Sequence, residues 1–190
     1  MVKVARKRRV WNPSLFEHAT TRGNNRKTIF HEPSDYRAFF RVLDYTYEQY
    51  PFTIISYCIM TNHYHLLIRS PEVPLGKVMG LINKRYGDYY RAKYGVTGYL
   101  YEGRYYAEKV DGPAGILAVS RYIHRNPIAA SKPLADKMAT YPYSSYYYYV
   151  SGVKPAYRYL ELNHILPLLT HPYDPTPESY SKYCEETLSE

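Results

Sequence analysis

The segment MTNHYHLLI, residues 60–68, constrains the fold of this chain more than any other stretch. It places His63 and His65 one residue apart in an apolar run that is typical of a β-strand. In an extended chain, residues i and i+2 point to the same face, so both imidazoles share one side and Tyr64 the other. Two such nitrogens can bind one metal ion and leave its other coordination positions open. A half-buried strand that happens to carry two histidines would show the same pattern, so the segment alone leaves both interpretations open.

The elements on either side of this segment limit the fold class. Alternating apolar residues and turn formers predict strands at 15–21, 53–59, 63–69 and 104–110, the middle two joined by the Thr61-Asn62 turn. Helical apolar spacing predicts helices over 34–50, 75–94 and 111–126, with Ser34 and Asp111 as N-caps of the first and third. The third helix should end near Asn126, because Pro127 disfavours helical geometry in the residue before it. The order β-α-β-β-α-β-α predicts an α+β fold of ferredoxin-like split βαβ type, an antiparallel sheet packed by helices.

Composition divides the chain into three parts. Residues 1–13 form a basic arm, residues 14–150 carry the predicted elements, and residues 151–190 form a Tyr- and Pro-rich tail that we predict to be irregular. The segment YPYSSYYYYV, 141–150, is either a final packed segment or a surface that contacts nucleobases.

The charge and the tyrosine content favour a nucleic-acid partner. The formal net charge is +8, and 26 of the 190 residues are tyrosine. A basic, Tyr-rich surface suits single strands, because the ring stacks on bases and the hydroxyl contacts phosphate. A core that uses Tyr where other proteins use Phe or Leu would account for most of these residues. Cys58 and Cys184 lie far apart without a CxxC spacing, which predicts a cytoplasmic protein without a disulfide framework. No apolar run approaches membrane-spanning length, so we expect no membrane partner.

The segment SRYIHRNPIAA, 120–130, supplies further candidate site residues. Tyr122 and Asn126 are four apart and share a helix face, whereas His124 points nearly to the opposite side. A tyrosine at this place could simply pack at the core margin, and the asparagine could be a C-terminal cap. Together with the histidines, however, an amide oxygen completes a set of ligands for a divalent ion that polarises a phosphate. The tyrosine hydroxyl would then be the nucleophile that forms a covalent phosphotyrosine.

Five segments in order resemble one family. They are HATTRGNNRKTIF (18–30), MTNHYHLLI (60–68), GYLYEGRYY (98–106), SRYIHRNPIAA (120–130) and YPYSSY (141–146). The chain resembles the single-tyrosine HUH transposases, specifically the REP-associated tyrosine transposases. The resemblance implies a ferredoxin-like HUH nuclease domain over 14–150 that cleaves single-stranded DNA beside a hairpin, uses Mg²⁺ or Mn²⁺, and stays attached to the 5′ phosphate.

By motif position, the resemblance makes His63 and His65 the HUH pair, Tyr122 the nucleophile and Asn126 the third ligand. Two positions depart from the family pattern. Tyr64 stands where a smaller aliphatic residue is usual, and Thr61 stands where the family often has proline. Neither departure touches the four residues that carry the chemistry.

The resemblance also implies partners. We expect single-stranded DNA hairpins, such as repetitive palindromic elements, and a monomer rather than a dimer. The candidate DNA contacts are Arg22, Arg26, Lys27, Arg104, Arg121 and Arg125. A solvated basic loop is the alternative for the first three.

Two other functions remain open on the sequence. A non-catalytic single-stranded DNA or RNA-binding module could share the ferredoxin-like plan, although no RNP1-like run is present. An HUH replication or conjugation enzyme is a further alternative, but the chain carries no helicase segment. If Tyr122 were not the nucleophile, Tyr86, Tyr89 or Tyr90 would be the next candidates.

Overall fold

Four strands form one antiparallel sheet in the structure, a computed structural model that describes residues 10–186. The strands are β1 (Glu17–Arg22), β2 (Thr53–Ile59), β3 (His63–Arg69) and β4 (Tyr106–Lys109). Their spatial order is β2-β3-β1-β4, and each neighbouring pair is antiparallel. Strands β1 and β2 therefore run parallel with β3 between them, which is the split βαβ arrangement. The predicted α+β class is confirmed.

Helices cover both faces of this sheet. They are α1 (Pro33–Gln49), α2 (Leu75–Tyr94), α3 (Gly112–Ala129), α4 (Tyr146–Ser151) and α5 (Pro177–Glu185). Alternate side chains of β3 separate the two faces: Tyr64 and Leu66 pack into the core under α1 and α2, whereas Leu67 packs into the core under α3. None of the described helices is both long and apolar enough to cross a membrane.

Some boundaries differ from the prediction for local reasons. Helix α1 has Glu32, not Ser34, as its N-cap, because the Asp35 carboxylate accepts the backbone N–H of Glu32 at 3.2 Å in a capping box. Helix α3 does not end at Asn126 but continues through Pro127 to Ala129. Pro127 has no backbone N–H, so the helical hydrogen bond to the Ile123 carbonyl is lost, and this loss falls in the last turn of the helix. Strand β4 is shorter than predicted.

The chain after residue 150 is not an irregular tail throughout. Helix α5 lies against α3 and α4, and its Tyr180 and Cys184 are buried in the same core as Ile123. His124 of α3 joins these elements, since its ring nitrogens lie 2.8 Å from the hydroxyls of Tyr180 and Ser145. Tyr146 and Tyr149 of α4 are also buried. Segment 141–150 is therefore packed into the core. Residues 1–9 of the predicted basic arm lie outside the described residues.

A buried carboxylate ties α1 to α2. Asp35 Oδ1 lies 2.6 Å from Lys93 Nζ and accepts the Tyr89 hydroxyl, and Oδ2 accepts the Tyr94 hydroxyl at 2.7 Å. Burial alone would raise the pKa of Asp35, but hydrogen bonds from Lys93, Tyr94 and the His31 backbone N–H lower this pKa to about 2. The folded state thus favours the charged carboxylate.

We expect Asp35→Asn to lower the free energy of unfolding by about 2 to 3 kcal/mol at neutral pH, because it leaves Lys93 without its buried partner. In the unchanged protein the pKa of Asp35 is lower folded than unfolded, so its stabilisation is present above about pH 4 and is lost as the pH falls toward 2. Urea unfolding across this pH range measures both effects. An acid-induced loss of the same size in Asp35→Asn would contradict this assignment.

Candidate active site

Strands β1 and β3 bring the predicted histidine pair onto the sheet face that α3 covers. His63 and His65 have ring centroids 4.8 Å apart. Thr20 of β1 is paired with His65 in the antiparallel register. Tyr64 points to the other face, where it is fully buried and its hydroxyl donates to Asn83 Oδ1 at 2.7 Å. The large residue between the histidines therefore fills the core without disturbing the pair.

Hydrogen bonds fix the Nδ1 side of both imidazoles. His63 Nδ1 lies 2.6 Å from Asn62 Oδ1, which can only accept, so this nitrogen carries the hydrogen. His65 Nδ1 lies 2.9 Å from His18 Nε2 and 3.0 Å from Thr20 Oγ1. His65 Nε2 is buried and has no hydrogen-bond partner of ordinary geometry within residues 10–186. The Nε2 atom of His65 is therefore left for a ligand, and Nε2 is the ring nitrogen of His63 that the Asn62 contact leaves as a candidate donor.

Both histidines are held neutral. Burial lowers the pKa of His63 to about 4, and the positive charge of Arg22 adds to this effect. Burial also lowers the pKa of His65 well below its ordinary value, with a further contribution from His63. The Asn126 amide lies beside both rings and raises each pKa by a smaller amount. Neutral imidazoles are the form that binds metal ions.

Helix α3 places Tyr122 and Asn126 against this pair. The side chain of Tyr122 is 54% exposed, and its ring centroid lies 5.5 Å from that of His65. Asn126 Nδ2 donates to the Tyr122 carbonyl at 2.8 Å, which turns Oδ1 toward the histidines. The helix continues past Asn126, so this residue is not a C-terminal cap.

The donor set fits a divalent cation. Among the described residues, no group of three or more His, Cys, Asp or Glu side chains is placed to hold a metal ion. The available donors are instead the two Nε2 atoms and the Asn126 amide oxygen. The buried and unpaired Nε2 of His65 supports this fit, because a buried polar atom without a partner is costly unless something binds it.

Two cavities lie on either side of Tyr122. One, of about 690 Å³, is bordered by His18, His65 and Arg104. The other, of about 620 Å³, is bordered by His63 and Asn126. The second cavity has four cationic side chains and no carboxylate in its lining: Arg22, Arg26, Arg125 and Lys132. This charge suits a phosphate backbone.

The predicted DNA-contact residues are not all brought to the site. Arg22 borders both cavities, Arg26 and Arg125 border the second, and Arg104 borders the first. Lys27 lies on the exposed loop after β1 and borders neither.

The prediction for Arg121 needs correction. This side chain is buried, its guanidinium donates to the carbonyl of Glu186, and it lies 5.2 Å over the ring of Tyr183. Arg121 therefore fastens the α5 segment to α3. Arg125 also donates to the α5 segment, at 2.5 Å to the Cys184 carbonyl, but still borders the cavity.

The structure also removes the alternative nucleophiles. Tyr86, Tyr89 and Tyr90 lie on α2, on the opposite face of the sheet. Their hydroxyls donate to the Ile29 carbonyl, the Asp35 carboxylate and the Thr28 carbonyl. Of the four candidates, Tyr122 alone lies beside the histidines.

Sequence reasoning missed the residues that support the histidines. His18 and Thr20 alternate on β1, so a period of two predicts that they share a face. Which residue of β3 they would meet depends on the strand register, which that pattern does not give.

Comparison with known families identifies the family of this chain. A family model described as "Transposase IS200 like" matches residues 12–126, which is more than half of the chain. The chain belongs to the IS200-like transposase family. The matched region of this transposase begins before β1 and ends at Asn126, so it contains both histidines and Tyr122. No curated protein matches the chain.

A solved structure shares the fold of this transposase. It is described as a REP-associated tyrosine transposase bound to a REP hairpin. The TM-score is 0.67 at 15% sequence identity, over 85% of this chain and 96% of that one. At this identity the likeness shows the fold.

Proposed function

We propose that this transposase cleaves and rejoins single-stranded DNA through a 5′-phosphotyrosine on Tyr122. One observation carries the proposal: a half-exposed tyrosine lies beside a pair of neutral histidines, and the buried one, His65, contacts its ring and has an unpaired Nε2 atom. The cationic cavity beside Tyr122 gives the DNA backbone a place to bind.

The proposed reaction is a transesterification. The Tyr122 hydroxyl oxygen bonds to the scissile phosphorus, and the bond from phosphorus to the 3′ oxygen breaks. The phenol loses its proton, and the leaving 3′ oxygen gains one. Because one phosphoester replaces another, a 3′ hydroxyl can attack the phosphotyrosine and rejoin the strand without ATP.

The residues of this chain have distinct roles in that step. His63, His65 and Asn126 would hold Mg²⁺ or Mn²⁺, which when bound polarises the phosphate and stabilises its developing charge. Arg22 and Arg125 lie where they can bind the backbone beside the scissile phosphate. Helix α3 orients Tyr122, since His124 and Arg121 on its far side anchor it to α4 and α5.

We further propose that the substrate is DNA beside a hairpin, as in the REP-associated branch that the sequence motifs resemble. The solved relative with the same fold is described as bound to such a hairpin. Labelled single-stranded hairpin DNA, incubated with the protein with and without Mn²⁺, tests the proposal on a denaturing gel. A metal-dependent, SDS-resistant adduct is expected. Hairpin binding without an adduct, across palindromes of the source genome, would instead favour a non-catalytic DNA-binding module.

We expect His18→Ala to weaken Mn²⁺ binding by about 10- to 100-fold, the usual effect of losing a partner that orients a metal-binding histidine. His18 Nε2 lies 2.9 Å from His65 Nδ1. We propose the tautomer in which His65 Nδ1 donates to His18 Nε2, because it keeps the His65 Nε2 lone pair available. His18→Gln provides an acceptor oxygen and should keep more of the affinity. Electron paramagnetic resonance titration of free Mn²⁺ measures binding without DNA. The exposed His171→Ala is the control, and equal affinities in His18→Ala and His171→Ala would refute this role.

A further inference from the structure

The loop that follows β1 is fastened to the turn between β2 and β3. We call residues 23–30 the β1 loop. At its start, the Gly23 N–H donates to the Asn62 carbonyl at 2.8 Å. At its end, the N–H groups of its last two residues both donate to the Thr61 carbonyl at 2.9 Å. Both ends of the loop are therefore held by the two residues that lead directly into His63.

The side chain of Asn62 connects the β1 loop to His63. Its Nδ2 donates to the Arg26 carbonyl at 3.0 Å, and its Oδ1 lies 2.6 Å from His63 Nδ1. A backbone carbonyl can only accept, so the amide end that faces Arg26 must be the NH₂ group. The other end is then the oxygen, and His63 Nδ1 must donate to it. The contact with Arg26 thus determines which His63 nitrogen carries the hydrogen, and it leaves Nε2 for a metal ion.

The backbone of the β1 loop needs this support. Asn25 and Arg26 have φ angles of 52° and 56°, in the left-handed region. Asparagine adopts this region more readily than most residues, but arginine rarely does. Such a conformation persists only where the surrounding contacts hold it. The Asn62 amide holds the carbonyl of Arg26, which is the strained residue itself.

Two parts of the proposed site meet at this amide. Arg26 and His63 border the same cationic cavity, and Asn62 itself borders it as well. Arg26 is one of the candidate DNA contacts, and His63 belongs to the candidate metal-binding pair. The two hydrogen bonds of one side chain therefore set the position of a metal ligand relative to the backbone of a candidate phosphate-binding residue.

We propose that Asn62 is a positioning residue that holds His63 and the β1 loop in one fixed arrangement. It acts through its two hydrogen bonds and touches neither the metal ion nor the reacting atoms. The bond to His63 orients the ring and fixes its tautomer for metal binding. The bond to Arg26 keeps that residue at the cavity. This inference rests on the proposed function in one respect, that His63 binds the metal ion.

Two variants with nearly the shape of asparagine separate the two hydrogen bonds. Asn62→Leu removes both bonds. Asn62→Asp keeps an oxygen that accepts from His63 but loses the donor to Arg26. Asn163→Leu and Asn163→Asp are the matched controls, because Asn163 is exposed and borders neither cavity of the site. Melting temperatures confirm that each variant is folded.

Each hydrogen bond has its own measurement. Electron paramagnetic resonance of free Mn²⁺, without DNA, measures metal binding. Asn62→Leu should weaken this binding by about 10- to 100-fold, whereas Asn62→Asp should retain most of it, because an acceptor that orients His63 is kept. Hydrogen exchange of a peptide that covers the β1 loop measures the bond to Arg26. Exchange should be about 3- to 10-fold faster in both variants, the scale for losing one hydrogen bond.

The outcomes separate this inference from the proposed function. If the unchanged protein binds Mn²⁺ and forms the adduct, but Asn62→Leu binds Mn²⁺ as tightly as Asn163→Leu, the assignment is wrong and the proposed function stands. Equal loss of Mn²⁺ affinity in Asn62→Leu and Asn62→Asp, or unchanged exchange of the β1 loop in both, would also overturn it. If Asn62→Leu does not fold, Asn62→Asp decides, since it must combine retained Mn²⁺ affinity with a faster-exchanging loop. If the unchanged protein binds no Mn²⁺ and forms no adduct, both proposals fail.

Discussion

Tyr122→Phe is expected to abolish the covalent protein–DNA adduct and to reduce strand cleavage on the order of 10⁴-fold or more, the scale that follows loss of a covalent nucleophile. The substitution removes only the hydroxyl. Because the ring is half exposed and its contacts to the histidine rings are kept, the fold and the hairpin affinity should not change. The denaturing gel measures the adduct, and anisotropy measures binding.

Two further variants test whether loss of the adduct is specific to Tyr122. Tyr147 is exposed on α4, away from the site, so Tyr147→Phe should form the adduct normally. Tyr106 is the alternative nucleophile, because it is exposed in the cavity beside Tyr122. Its hydroxyl donates to Glu108 at 3.2 Å. If Tyr106→Phe lost the adduct and Tyr122→Phe kept it, the nucleophile would be Tyr106.

His65→Ala is expected to reduce cleavage by about 10³-fold, since a bound metal ion contributes several kcal/mol of charge stabilisation. It should also reduce Mn²⁺ binding below detection in a direct titration. His63→Ala should behave in the same way, because each histidine provides one of the two proposed Nε2 ligands. Single-turnover cleavage, with melting temperatures to confirm folding, measures the effect.

The outcome for His65→Ala separates a metal role from a structural one. The imidazole is buried, so a fall in melting temperature alone would indicate that His65 only fills space. Cleavage that persists in both histidine variants, or that continues when Mn²⁺ is chelated, would refute metal dependence.

The part of the site that lies on one strand could be predicted from the sequence. The bounds of β3 and the orientation of His63, His65 and Tyr64 follow from a side-chain period of two, which depends on no other element. The shared helix face of Tyr122 and Asn126 on α3 follows equally from the helical period. The structure brings both residues to the histidines. Their roles in metal binding and attack on phosphate stay predictions.

The contacts between distant segments could not be predicted. Arg121 and Arg125 lie one helical turn apart on α3, yet Arg121 is buried because the α5 segment lies over it. The position of α5 depends on packing more than fifty residues along the chain, which no local pattern gives. The same is true of His18, whose contact with His65 exists because β1 pairs with β3 in one register.

The central claim is that Tyr122 forms the bond to DNA, and peptide mapping tests it most directly. The unchanged protein is incubated with Mn²⁺ and a hairpin DNA that carries unpaired flanks. The DNA is then trimmed with nuclease, and the protein is digested with trypsin. Cleavage after Arg121 and Arg125 releases residues 122–125, Tyr-Ile-His-Arg, which contain a single tyrosine. We predict a nucleotide phosphate on this peptide, identified by mass spectrometry. A nucleotide on any other tryptic peptide, with 122–125 unmodified, would contradict the claim.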